Sequence, residues 1–165
     1  GRVVAFEPDA RNALSLRHNL LMNQSAEVAP VSVVESAVSR TAGTLCFNAG
    51  AEGSSRADAA AAQVVPATTI DDAMRQEQLD RVDFIKMDIE GGEVDALTGA
   101  ARTLERFTPR LAISVYHRPG DLPDIVGLIR RASPNYQLYL SQKSPGVAET
   151  VLFACCDQAG RSAYA

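Results

Sequence analysis

Short apolar runs alternate with stretches in which apolar positions recur every three or four residues, and this alternation organises most of the chain. Residues 2–6 form a mostly apolar run that predicts a strand buried on both faces, ended by Glu7-Pro8-Asp9. Asp9 suits the N-cap of a following helix in which Ala10, Leu14 and Leu21 fall near one face, with Asn23 close to the stop. Valine-rich residues 31–38 predict the next strand, and residues 44–47 a shorter one after the turn at Gly43. Residues 49–62, made of Ala, Ser, Gly and Glu with little to bury, read as a mobile loop.

Thr69 then caps a helix through Ile70, Ala73 and Met74, with Asp71 and Asp72 in the first turn where the helix dipole favours negative charge. Residues 82–89 predict a long strand. Gly91-Gly92 turns it into a helix carrying Val94, Leu97, Ala101 and Leu104 on one side and ending at Pro109. A strand over 111–116, a helix over 122–132 and two strands over 137–140 and 150–154 complete the order. Strand and helix alternate until the last two strands, so the expected fold is α/β: a Rossmann-like, doubly wound, mostly parallel sheet with an antiparallel C-terminal edge hairpin. In such folds ligands bind beyond the carboxyl ends of the strands, which makes the residues after each strand the candidates for chemistry.

Composition narrows the classes. The 165 residues, 46% hydrophobic, suit a single domain with its own core. A net charge of -4 offers no long-range attraction to phosphate backbones and argues against nucleic-acid partners, leaving a small molecule or a protein. Cys46, Cys155 and Cys156 have no C-x-x-C spacing and no neighbouring histidine, which disfavours structural zinc or a disulfide framework and fits a reducing, cytoplasmic setting. No apolar stretch approaches the roughly 20 residues of a membrane helix.

Glu7, directly after the first strand, can accept hydrogen bonds from both hydroxyls of a ribose; read alone, a surface acid beside a turn is the favoured reading. The acidic cluster Asp88, Glu90 and Glu93 also carries two readings: a ligand site, or Asp88 capping the next helix with Glu90 and Glu93 favourably placed in its first turn. Three acids this close also suit a hard cation such as Mg²⁺. His117 follows the strand over 111–116, and an imidazole there can take a proton from a hydroxyl or simply bond within its loop. His18, within the first helix, reads as a surface or packing residue.

Phe6-Glu7-Pro8-Asp9, Asn19 and Asn23, Ser36-Ala37-Val38-Ser39, Thr69-Ile70-Asp71 and above all the K-x-D-x-E-G-x-E segment from Lys86 to Glu93 occur in an order and spacing that resembles the FkbM family of methyltransferases. Residues 112–117 and 149–152 are similar to the family's closing strands. The resemblance implies a class I methyltransferase using S-adenosylmethionine on a hydroxyl of a sugar, lipid or secondary metabolite. It implies Glu7 at the ribose, Ser36 and Ala37 beside the adenine, and Asp88 toward the methionine end or the acceptor, its charge complementing the sulfonium. It also implies that some relatives use a metal such as Mg²⁺.

The family places a central strand and a D-x-G-x-x-x-G type loop before the first strand seen here, and residues 1–165 contain neither. The expectation is therefore a domain with its first central strand missing, binding cofactor weakly or not at all by itself. A nicotinamide dehydrogenase also uses an acid after its second strand, but no G-x-G-x-x-G occurs. The non-enzymatic alternative is an inactive, truncated methyltransferase-like domain serving as an interaction module.

Overall fold

A computed structural model describes residues 1–25, 29–47, 63–142 and 149–156; the stretch read as a loop over 49–62 lies outside the described residues. The first apolar run forms β1 (Val3–Phe6), followed by α1 (Ala10–Met22) and β2 (Val31–Val34). β1 and β2 pair in parallel, Val3 opposite Val31 and Phe6 opposite Val34, so Glu7 and the residues after Val34 leave the sheet at the same rim. Asp9 caps α1 as expected, accepting from the backbone N–H of Arg11 and Asn12 at 2.8 and 3.0 Å. Those bonds, the one from Asn12 first, hold its carboxyl below the usual range.

The helix turns a different face inward from the one expected. Ala13 is buried and Leu16 and Leu20 are half-buried, whereas Leu14 and Leu21 are exposed. The stripe at 13, 16 and 20 has the i, i+3, i+7 spacing of a packed helix face, and the apolar positions on either side of it do not pack.

The run over 31–38 divides into two strands. After Val34 the chain breaks at Glu35-Ser36, and β3 (Ala37–Val38) joins a second sheet in the order β3-β5-β4, with β4 (Gly43–Phe47) antiparallel to β5 (Gln63–Thr68) and β3 parallel to it. β5 was not foreseen. Pro66 within it removes a backbone donor and weakens the strand signal, and it falls outside the two residues that β3 pairs.

Thr69 caps α2 (Ile70–Gln76), accepting from the N–H of Asp72 at 2.9 Å. The predicted helix from Gly92 to Pro109 is two, α3 (Glu93–Thr98) and α4 (Ala101–Phe107). The cause is tertiary. Asp71, in the first turn of α2, accepts from the backbone N–H of Arg102 and Thr103 and from the Thr103 hydroxyl, at 3.1, 2.9 and 2.7 Å, and so caps α4 from another helix. Gly99, at the break, lies so close to β3 that a Cβ built on it would stand 2.1 Å from the Ser39 carbonyl oxygen.

β6 (Phe84–Met87) runs parallel to β7 (Arg110–Ser114); after α5 (Asp121–Ala132), β8 (Tyr136–Gln142) and β9 (Thr150–Cys156) close a four-stranded sheet in the order β6-β7-β9-β8. The expected antiparallel hairpin is present, with β9 inserted between β7 and the edge strand β8. The main core lies between this sheet and α3, α4 and α5, around Leu97, Leu104, Ile113, Ile125 and Ile129. Tyr136 is buried there, its hydroxyl donating to the Pro109 carbonyl at 2.9 Å, and burial raises its pKa.

Among the described residues the ladders form three sheets, three pairings parallel and three antiparallel, so the fold is a mixed α/β arrangement. β1 does not pair with β6; each is bonded to one described strand only. No described helix is long and apolar enough to cross a membrane.

Candidate functional site

Parallel pairing of β6 and β7, with Met87 opposite Ile113, delivers Asp88 and the segment Tyr116-His117 to one rim. Beyond Asp88 the chain reverses through two consecutive residues in the left-handed region, Glu90 at φ 55° and Gly91 at φ 91°. A side chain at position 91 would also meet Arg118, with Nε 2.8 Å from its Cβ, so glycine serves there both as a turn and as a close approach. Glu93, the first residue of α3, reaches back to accept the N–H of Ile89 at 2.9 Å and closes the turn.

The N-cap of α3 is Gly92, with no side-chain cap, so Asp88 does not perform the capping role that the sequence left open for it. It faces His117 instead. His117 Nε2 stands 3.4 Å from Asp88 Oδ1 and 3.5 Å from Glu90 Oε2, while Nδ1 stands 3.1 Å from Glu93 Oε1. Glu93 is fully buried and the His117 side chain is 9% exposed, yet among the described residues both ring nitrogens and Glu93 Oε2 lack hydrogen bonds.

Two neighbours complete the group. Tyr116 donates its hydroxyl to Asp88 Oδ1 at 3.4 Å, and its ring lies against His117 with centroids 4.2 Å apart. Burial, and then the negative charges of Asp88 and Glu90, push the Tyr116 pKa up, which keeps the hydroxyl a donor. Lys86 Nζ lies 3.9 Å from Asp88 Oδ2 at the solvent side. Of the two readings open for Glu93, its bond to the Ile89 N–H is the structural one, while its approach to His117 joins it to the group as well; Tyr116, which the sequence did not single out, is signalled only by its place beside His117.

The second set of predicted residues lies at the rim of β1 and β2. Glu7 donates its own N–H to the Val34 carbonyl at 3.0 Å, and its Oε1 accepts from the Asp9 N–H at 2.8 Å. Glu7 Oε2 makes no hydrogen bond among the described residues. Ser36 is buried with its hydroxyl on the Ala37 carbonyl at 3.3 Å, and Ala37 opens β3. Among the described residues no hydrogen bond or ion pair joins Glu7, Ser36 or Ala37 to the group around His117. A shallow concavity of about 450 Å³ is lined by Leu14, Ser15, His18 and Asn19 of α1, and takes in none of these groups.

Residues 1–137 match the model of the methyltransferase FkbM domain. The chain belongs to the FkbM methyltransferase family. Its structure is similar to the crystal structure of the methyltransferase FkbM from Methylobacillus flagellatus KT, with a TM-score of 0.74 and 30% sequence identity over 93% of this chain. The chain spans 36% of the length of that protein. No protein of curated function matches it. All of Glu7, Ser36, Ala37, Asp88 and His117 fall inside the stretch matched by the FkbM model.

Proposed function

We propose that this FkbM domain serves an S-adenosylmethionine-dependent methyltransferase with a Rossmann-like architecture, acting on a hydroxyl of a small molecule such as a sugar, lipid or secondary metabolite. The observation that carries the reading is the convergence of Asp88, Glu90, Glu93 and His117 at the end of two parallel strands, within the K-x-D-x-E-G-x-E stretch of the family match. Ligands in parallel α/β sheets sit at such strand ends.

The donor supplies an electrophilic methyl group on a positively charged sulfur, and the chain's residues do the rest. Glu7, with one carboxylate oxygen free of hydrogen bonds, has the acceptor a ribose hydroxyl requires. Ser36 and Ala37, on the same rim, flank the adenine in this reading. Asp88 faces the sulfonium or the acceptor and offsets positive charge. The acceptor oxygen forms a bond to the methyl carbon as the carbon–sulfur bond breaks, and the hydroxyl proton passes to His117 Nε2, which has no hydrogen bond of its own.

The test is S-adenosylmethionine titration and methyl transfer to hydroxylated acceptors, both in the full-length protein. Glu7→Ala should weaken cofactor binding by about tenfold, the worth of one strong hydrogen bond. Undiminished affinity would remove Glu7 from the site, and absence of any methyl transfer across sugar, lipid and phenolic acceptors would remove the reaction.

A further inference from the structure

His117 sits between carboxylates of unlike setting. On the Nδ1 side, Glu93 is fully buried and its Oε1 stands 3.1 Å away. On the Nε2 side, Asp88 Oδ1 at 3.4 Å and Glu90 Oε2 at 3.5 Å belong to side chains that are 37% and 28% exposed. The Tyr116 ring packs against the imidazole with centroids 4.2 Å apart, which limits how the ring turns between the two sides. A neutral imidazole carries one N–H and one lone pair, so these surroundings decide which nitrogen holds which.

Burial tips the balance toward Nδ1. A carboxylate only accepts, and one taken out of water needs donors or a cation. Among the described residues Glu93 has no lysine or arginine partner, its Oε2 has no hydrogen bond, and its Oε1 has only the Ile89 N–H at 2.9 Å. A lone pair on Nδ1 would leave that buried charge with a single donor and set negative against negative, whereas an N–H there supplies a second donor. The pair is within hydrogen-bond reach without being aligned as a bond, so the attraction is that of a charge for the N–H dipole. Water weakens the competing pull of Asp88 and Glu90: an effective dielectric of about 20 at a buried contact against about 80 in open water discounts an exposed charge by up to about fourfold. Asp88 also has Lys86 Nζ 3.9 Å from its other oxygen.

We propose that Glu93 is a positioning residue for the transfer: it keeps the proton of the neutral His117 ring on Nδ1 and leaves the Nε2 lone pair to receive the proton of the acceptor hydroxyl. The inference rests on the reading of His117 as the base and deepens it. As the acceptor oxygen bonds to the methyl carbon and the carbon–sulfur bond breaks, the hydroxyl proton moves to Nε2 and the ring becomes an imidazolium with an N–H on each side. Glu93 Oε1 then faces a full positive charge instead of a dipole, so its attraction is stronger after proton transfer than before it, as a group that speeds the step requires. The Ile89 N–H holds Oε1 in place throughout.

Nitrogen NMR of the full-length protein labelled at histidine, at the pH of maximal turnover, reads the tautomer without methyl donor or acceptor. The signals of His117 are those lost in His117→Gln; if that variant does not fold, neutron diffraction of the wild-type protein locates the proton instead. The expected result is a proton on Nδ1 and a bare Nε2, and a proton on Nε2 or on both nitrogens would overturn the proposal. Full turnover in His117→Ala would instead remove the reading on which the inference rests, whatever the tautomer. Glu93→Gln keeps the size of the side chain and an oxygen for the Ile89 N–H but removes the charge facing Nδ1. It should show a mixture of the two tautomers and turnover lowered at least about tenfold, with S-adenosylmethionine affinity unchanged. An unchanged tautomer or unchanged turnover would assign Glu93 to the turn alone and overturn the proposal; where Glu93→Gln does not fold, the wild-type tautomer decides.

Discussion

The rims of β1–β2 and β6–β7 are built by the same device, parallel strands ending together, but they differ in how their polar groups are satisfied. At the first, Glu7 and Ser36 spend their bonds on nearby backbone, with Glu7 Oε1 on Asp9 and the Ser36 hydroxyl on Ala37. At the second, the half-buried His117 and the buried Glu93 retain atoms without hydrogen bonds among the described residues, beside Asp88 and Glu90. The first rim leaves one carboxylate oxygen, Glu7 Oε2, without a hydrogen bond among the described residues. The second keeps polar atoms unbonded among the described residues, and in the proposed function it is the rim where methyl transfer takes place.

Three substitutions probe that contrast. The largest effect belongs to His117→Ala in the full-length protein, where turnover should fall by about a hundredfold or more while S-adenosylmethionine affinity holds. Equal losses in both would erase the division of labour between the rims. Next comes Gly99→Ala, which tests whether the rims are mechanically joined. Its methyl group would meet the Ser39 carbonyl, a backbone atom that cannot swing aside, and should cost about 3 kcal/mol in urea unfolding. A loss below half of that would mean α3 and β3 separate freely.

The smallest effect is expected at Asp71→Ala, which removes the cap that ties α2 to α4, at a cost of about 1–3 kcal/mol at neutral pH. Burial pushes the Asp71 carboxyl up, but the Thr103 hydroxyl and the Thr103 and Arg102 N–H groups outweigh it and hold the pKa below its ordinary 3.8. With the folded value depressed, the stabilisation is fully present above pH 3.8 and is lost as pH falls through the folded value. Chemical unfolding at successive pH values should show the wild-type advantage shrinking only in that acid range; a constant gap would assign the cap no ionic character.

The order of elements and the two rims were readable because apolar runs and their terminating residues are local properties, and because parallel strands necessarily share a carboxyl edge. Asp88 and His117, 29 positions apart, meet for that reason alone. What escaped depended on distant contacts. The break at Gly99 is imposed by Ser39 and Asp71, and between Glu93 and Phe107 only the glycine itself hints at it. The buried face of α1 follows from which side β2 occupies, so Leu14 and Leu21 look as suitable as Ala13 and Leu20. Pro66 hid β5, and the grip of Glu93 on His117 needs a left-handed turn that only the three-dimensional path displays.

That turn at Glu90-Gly91 acts as a ruler. It gathers acids that an extended strand would divide, Asp88 and Glu90 on one side and Glu93 on the other, into a single nook, and it is fastened by a clasp from Glu93 to Ile89. Adding or deleting a single residue between the two ends would leave every ingredient in place and the enclosure undone, so the length of this segment is held as strictly as Gly91 and Glu93 themselves.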